Sequence, residues 1–228
     1  MTTAAAVRLP GMDHVLTLPG VYTPQYDTYL LAESLRREAV GAGTDVLDVG
    51  TGSGALALYA ARLGARVTAT DIARRAVLTA RLNALLAGRH IAVHRGDLLE
   101  PVHGRSYDIV LSNPPYVPTP PGSPPRNRAA RSWDAGPDGR AFVDRICDTA
   151  PSLLRPDGVL LLVHSALCGT EATLKRLADA GLWATVTDRA FVPFGPVVRS
   201  RLSWLRSRGL LDPNDEQEEL VVVRAEHI

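Results

Sequence analysis

The sequence predicts a doubly wound α/β fold, a mostly parallel seven-stranded sheet with helices on both faces. Three observations predict it. Short apolar runs alternate with amphipathic stretches from Val46 to Ala180, the repeat that lays parallel strands between helical layers. Glycines follow the helical stretches, at Gly64, Gly88 and Gly181, where helices commonly end. A glycine-rich turn, Asp48-Val-Gly50-Thr-Gly52-Ser-Gly54, joins the first strand to its helix. In such sheets ligands bind outside the carboxyl ends of the strands.

Residues 1–26 are irregular, punctuated by Pro10, Gly11, Pro19, Gly20 and Pro24, with a short strand expected at Val15–Leu18. Asp27 and Thr28 open a helical pattern with Leu30, Leu31 and Leu35 on one face, ended by Gly41 and Gly43. Val46–Val49 reads as a buried parallel strand. A helix over Ala55–Leu63, a strand over Arg66–Thr70, a helix over Ala73–Leu86 and a strand over Ile91–His94 follow. Ile109–Ser112 is the fourth strand. Gly139–Leu154 reads as a helix whose last turn Pro151 breaks or kinks. Val159–Val163 (strand), Glu171–Ala180 (helix), Trp183–Thr187 (strand) and Leu220–Arg224 (strand) complete the series. Residues 117–137 form a long proline-rich connection, a length usually functional when it lacks regular structure. Residues 189–218 read as an insertion holding an amphipathic helix, with Val198, Leu202 and Leu205 on one side and Arg199, Arg206 and Arg208 elsewhere. Residues 1–40 are expected to form an extension whose helix packs on the ligand site, and 41–228 the main domain.

A chain of 228 residues fits one domain with a full core. Its net charge of +1 names no partner. Lys175 is the only lysine, a bias that reads as coding composition, while Arg199, Arg206 and Arg208 read as a solvated face or a contact with RNA or an acidic partner. Cys147 and Cys168 lie far apart and read as core thiols, and neither they nor His14, His90, His94, His103, His164 and His227 have metal-ligand spacing. No secretory signal and no membrane-length apolar run is evident, so a cytoplasmic protein is expected.

The glycine turn carries the first functional signal. Its glycines allow tight turning and close approach of a ligand, and the helix start behind it presents free N–H groups. Asp48 would repel a pyrophosphate but suits a ligand with an amino group. Asp71, at the end of the second strand, can accept both hydroxyls of a ribose. Asp97, after the third strand, can accept from an adenine amine while Leu98 covers the ring. Acids after three successive strands, with that turn, point to S-adenosylmethionine, which carries an ammonium, a sulfonium, a ribose and an adenine, and no phosphate.

Asn113-Pro114-Pro115-Tyr116 follows the fourth strand and should face that ligand. The Asn113 side-chain oxygen and the Pro114 carbonyl are two acceptors that can hold both protons of a planar NH₂ group. Tyr116 can stack on the same plane. The residues therefore predict methyl transfer to a planar amide or amine nitrogen by positioning and electrostatics.

With these residues in place, the chain resembles the HemK-type class I methyltransferases. Asp48–Gly54, Asp71, Asp97 and Asn113–Tyr116 match their motifs. Val21–Leu31, with Tyr22, Pro24, Asp27 and Thr28, is similar to the segment preceding the fold in the short branch of that family. Ser132–Arg140, with Trp133, Gly136 and Gly139, is similar to a segment that follows the tetrapeptide in that branch. The chain is not expected to hold the N-terminal helical domain of the longer bacterial members. The resemblance implies cofactor contacts from Thr28, Asp48, Gly50, Gly52, Gly54, Asp71, Asp97, Leu98 and Asn113. It implies an acceptor pocket of Asp27, Asn113, Pro114 and Tyr116. It implies methylation of the glutamine amide in the Gly-Gly-Gln motif of a translation release factor, with a small zinc-binding activator subunit as a possible partner. Tyr26 stands where the family often has an acid, and 189–218 is longer than the equivalent connection in the family's eukaryotic members. The exocyclic amine of adenine in DNA or RNA, a small molecule and another protein stay open as acceptors.

Overall fold

The computed structural model describes residues 15–122 and 135–227. The expected strand at Val15–Leu18 is irregular instead. Its main chain is paired by a side chain, since Leu16 N–H donates to Asn83 Oδ1 (3.0 Å) and Asn83 Nδ2 donates to Leu16 O (2.9 Å). Helix α1 (Tyr26–Arg37) follows, then β1 (Asp45–Val49), α2 (Ala55–Arg62), β2 (Arg66–Asp71), α3 (Arg74–Leu86), β3 (Ile91–Arg95) and β4 (Tyr107–Ser112). The second half runs α4 (Val143–Thr149), β5 (Leu154–Ser165), α5 (Thr170–Asp179), β6 (Leu182–Pro193), α6 (Pro196–Ser207) and β7 (Gln217–His227).

The seven strands form one sheet in the order β3-β2-β1-β4-β5-β7-β6. Strands β1 to β5 pair parallel, and β7 pairs antiparallel with both β5 and β6, so β6 points the same way as the first five. Residues alternate between the two faces along each strand. Val46, Ile109, Leu111, Leu161 and Val163 pack on one side with Leu31, Leu35, Leu56 and Val77 from α1, α2 and α3. Leu47, Val49, Val110, Leu160 and Leu162 pack on the other with Ile146, Cys147 and Leu177 from α4 and α5. Both cysteines are buried, as expected.

Several boundaries differ from the expected ones; α1 stops at Arg37, short of Gly41, and β5 starts at Leu154, ahead of Val159. Helix α4 begins at Val143, not Gly139, because Gly139 sits at φ +78° and serves the preceding loop. After Thr149 the chain tightens into a 3₁₀ turn over Ala150–Leu153, with Pro151 in its first positions. Strand β6 runs on to Pro193 and β7 starts at Gln217, so the strands take the two ends of 189–218, and the expected amphipathic helix, α6, lies between them. A satellite core of Phe194, Val198, Leu205 and Leu211 seats α6 on Val117 and Leu167. Among the described residues, no helix is long and apolar enough to cross a membrane.

Candidate active site

Strand order makes the site. On one side of β1 the chain winds outward through β2 to β3, and on the other side it resumes at β4. The carboxyl ends of β1 and β4 therefore flank the crevice where ligands bind in doubly wound sheets. Val49 and Ser112 are register partners, so Gly50 and Asn113 leave the sheet side by side. The Ser112 hydroxyl donates to Val49 O at 2.9 Å and ties the two strand ends together.

The glycine turn is fixed by its neighbours. Gly50 N–H and Thr51 N–H both donate to Thr70 O, at 2.9 and 3.0 Å. Gly52 N–H donates to Asp71 Oδ2 at 2.9 Å, and Ala73 N–H to Asp71 Oδ1 at 2.8 Å. Asp71 thus joins the turn to the start of α3 and lines the cavity. Burial raises the Asp71 pKa, while those backbone donors pull it part of the way back. Gly50, Gly52 and Gly54 all have positive φ, +72°, +55° and +83°.

A cavity of about 1060 Å³ opens above these loops. Asp27, Thr28, Gly50, Gly52, Asp71, Asp97, Leu98, Asn113, Pro114 and Tyr116 all line it, so ten of the expected site residues converge. Two do not reach it. Asp48 lies on the β1 face that packs under α2, and its side chain is 1% exposed. Its Oδ2 accepts from Thr51 Oγ1 (2.6 Å) and Ala57 N–H (3.1 Å), while Oδ1 is buried without a partner. Asp48 shapes the turn from below and lends it negative charge, in place of the direct contact expected. Burial lifts its pKa to about 6. Gly54 is used for packing, because a Cβ there would sit 3.0 Å from both Cα and Cβ of Ala80 on α3.

Asp97 faces the cavity, but its carboxylate also pairs with Arg145, at 2.7 and 3.2 Å. Beside it Leu98 has φ +46°, the one non-glycine positive φ among the described residues. Held strain of that kind costs about 1–3 kcal/mol and clusters where ligands bind.

On the acceptor side, Asn113 Nδ2 donates to Thr28 Oγ1 at 3.3 Å. That contact sets the amide orientation and leaves Oδ1 as a free acceptor. Asp27, in the first turn of α1, accepts from Tyr22 OH (2.6 Å) and Tyr116 OH (2.9 Å) on one oxygen. Its other oxygen accepts from Thr28 N–H (2.6 Å) and Thr28 Oγ1 (3.2 Å). Asp27 therefore organises the pocket from behind. Tyr116 is anchored through its hydroxyl, with its phenol pKa raised well above 10 by burial and by Asp27. Gly139 packs under this loop, since a Cβ there would lie 2.2 Å from Tyr116 O. Arg201 of α6 donates to Val117 O (2.7 Å) and Pro118 O (3.0 Å). Ser132, Trp133 and most of the 117–137 connection lie outside the described residues.

Sequence reasoning missed Tyr22, Arg201 and Glu218 as site groups. Glu218 sits in an acidic stretch that looks like a solvated face. Its signal is the strand period, which places Glu218, Leu220 and Val222 on one face of β7.

The family model of the methyltransferase small domain matches residues 13–120. A Methanocaldococcus jannaschii chain provisionally named a protein N5-glutamine methyltransferase is 34% identical over 177 residues, 77% of this chain and 88% of that one. A release factor glutamine methyltransferase from Geobacter sulfurreducens is 35% identical over 180 residues, 75% of this chain, which spans only 62% of that protein. Human methyltransferase HEMK2 is 34% identical over 177 residues, 72% of this chain and 81% of its own length. The same fold occurs in the Mtq2–Trm112 complex of E. cuniculi, which methylates the termination factor eRF1, with a TM-score of 0.64, 24% identity and coverage of 92% of this chain and 99% of that one.

Proposed function

The chain belongs to the HemK-type class I S-adenosylmethionine-dependent methyltransferases, and we propose that it methylates the side-chain amide of a protein glutamine, in the Gly-Gly-Gln motif of a translation release factor. One observation carries the choice of nitrogen. Asn113 stands beside the glycine turn with its NH₂ held by Thr28, so an oxygen faces the cavity. That oxygen and the Pro114 carbonyl grip the two amide protons of the acceptor and turn its lone pair toward the turn after β1. Both acceptors also stabilise positive charge growing on nitrogen.

The donor side fits the cofactor. Asp71 offers lone pairs to vicinal hydroxyls, and Gly50 and Gly52 let main chain lie against the ligand. The buried, unpartnered Asp48 Oδ1 suits a cation above it and opposes a phosphate. When bound, S-adenosylmethionine supplies an electrophilic methyl group and leaves as the neutral thioether. The acceptor nitrogen gains the methyl carbon and releases one proton to solvent. No strong base is required, because attack precedes loss of the proton. We assign α1, within the first 40 residues, to closing the cavity over Asn113, and the β6–α6–β7 hairpin to its acceptor-side wall.

The test uses radiolabelled S-adenosylmethionine with purified release factor and with the same factor carrying Gln→Ala in its Gly-Gly-Gln loop. Label confined to the intact factor is the expected result. Label in both factors would refute the glutamine assignment. Label in neither, persisting after a small activator subunit is added, would refute the release factor as substrate.

A further inference from the structure

One carboxylate in the cavity wall has no part in the chemistry above. Glu218, the second residue of β7, lines the same cavity as Asn113 and pairs in register with Val192. It is 6% exposed, and its Oε2 has no hydrogen-bond partner among the described residues. Burial raises its pKa, with the Ser165 hydroxyl and the Gly195 N–H pulling the other way and Asp27 adding to the rise. An unpaired buried carboxylate oxygen is costly to keep. Asp27, its nearest acidic neighbour in this wall, differs in kind, because both of its oxygens are taken.

We infer that Glu218 is a further substrate-binding residue, whose free oxygen accepts a hydrogen bond from a peptide N–H flanking the methylated side chain. The inference rests on the Asn113 loop being the acceptor site. Sheet geometry separates the two grips. Strand β7 lies two places from β4 in the sheet, with β5 between them. Neighbouring strands are roughly 4.8 Å apart, so Glu218 stands about 10 Å across the sheet from the strand that bears Asn113. One NH₂ group does not reach both; a peptide does, with its side chain at Asn113 and its main chain at β7. Because β7 runs antiparallel to β5, its first residues lie at the same sheet end as the carboxyl end of β4. The carboxylates of Glu218 and Asp27 repel an acidic or phosphate-bearing flank, so the chemical class selected is an uncharged N–H donor.

The test compares Glu218→Ala and Glu218→Gln with the wild type, on release factor and on a lysate of cells lacking the enzyme. Transfer is followed with radiolabelled cofactor, and binding of S-adenosylhomocysteine by calorimetry. Wild-type transfer to either source reports on the methyltransferase reading itself; the variants report on Glu218. In Glu218→Ala the KM for the acceptor should rise about tenfold, the worth of one buried hydrogen bond to a charged group, with kcat and S-adenosylhomocysteine affinity changed less than about threefold. Glu218→Gln, which keeps an acceptor oxygen, should recover most of that loss. An unchanged KM in Glu218→Ala overturns the assignment. So does a fall in kcat, cofactor affinity and melting temperature together, which marks a purely structural role for Glu218. Wild-type label in neither source overturns the transfer reading and this assignment with it.

Discussion

Asn113 and Asp71 sit on opposite sides of the cavity, and their variants should separate acceptor from donor functions. Asn113→Ala should lower kcat by about 10²- to 10³-fold, the usual loss when one preorganised polar contact to developing charge is removed. Its cofactor affinity should stay within a few-fold; a kcat close to wild type in single-turnover assays would contradict the acceptor role. Asp71→Ala should instead weaken cofactor binding about ten- to a hundredfold, because it removes the proposed ribose acceptor and frees Gly52 N–H. Calorimetry showing an unchanged affinity would rule that out. Two acids on one strand give opposite pH behaviour. Asp45 is held down to about 2, chiefly by its hydrogen bond to Arg66 and then by Arg155. Its contribution to stability is full above about pH 4 and is lost as pH falls toward 2. Asp48 is raised to about 6 by burial, so it costs stability above pH 6 and ceases to do so below about pH 4. A shift of about two units is worth roughly 3 kcal/mol. Cofactor-free Asp48→Asn should therefore melt higher than wild type near pH 8, with the gain gone near pH 4. A difference independent of pH in thermal melts would show that the charge is not the cause. The sequence made the position of Asp48 visible but not its depth. An acid before a glycine turn reads as a ligand contact, and only the pleat, which turns its side chain under α2, says otherwise.

Helices and loops carry the next set of consequences. Gly139 lies at the far end of the connection that the tetrapeptide opens, and directly beneath it in space. Gly139→Ala combines a Cβ 2.2 Å from Tyr116 O with a φ of +78°. Overpacking of this kind forces backbone shifts costing about 1–3 kcal/mol. The expected outcome is at least a tenfold lower kcat with cofactor affinity within about twofold. Equal loss of both, measured side by side, would mean that the distortion spreads beyond the acceptor loop. The parallel strands and helices α2 and α3 were legible because doubly buried strands read as unbroken apolar runs and those helices run into Gly64 and Gly88, whereas α1 stops at Arg37 with Glu38 already extended. Strand β6 was not, beyond Trp183–Thr187. It is an edge strand with Thr187, Arg189 and Phe191 exposed, so no continuous apolar run marks its far half. The start of α4 was misplaced for a related reason. Arg140 has a helical neighbour in Asp144 (2.6 Å), but its guanidinium also caps the carbonyls of Cys168 (2.7 Å) and Gly169 (3.0 Å), a tertiary use that local pattern does not reveal.

Across the whole molecule, charge is divided rather than accumulated. On the donor side of the cavity Arg74, Arg75 and Arg95 stand among Asp71 and Asp97, while the charged residues of the acceptor side are Asp27 and Glu218. Among the described residues that line the acceptor side, none is basic. Methylation should therefore depend weakly on salt, with the acceptor KM changing less than about tenfold between 50 and 200 mM. An enzyme making 6–10 phosphate contacts would lose roughly 10³- to 10⁵-fold in affinity over that range. A steep slope in that titration would favour a nucleic-acid acceptor. The family model stops at residue 120, just past the tetrapeptide. What lies beyond it, in β5, β6, α6 and β7, supplies Glu218, Arg201 and the outer wall. The tetrapeptide after β4 thus marks a seam in the chain. The glycine turn, Asp71, Asp97 and Leu98 are encoded before it, and the outer wall of the cavity, with Val192, Val198 and Glu218, is encoded after it. Grafting a foreign segment onto the chain after Tyr116 should redirect the enzyme to new recipients while its donor half carries on unaltered, which makes this seam a natural point for engineering and for evolutionary recombination.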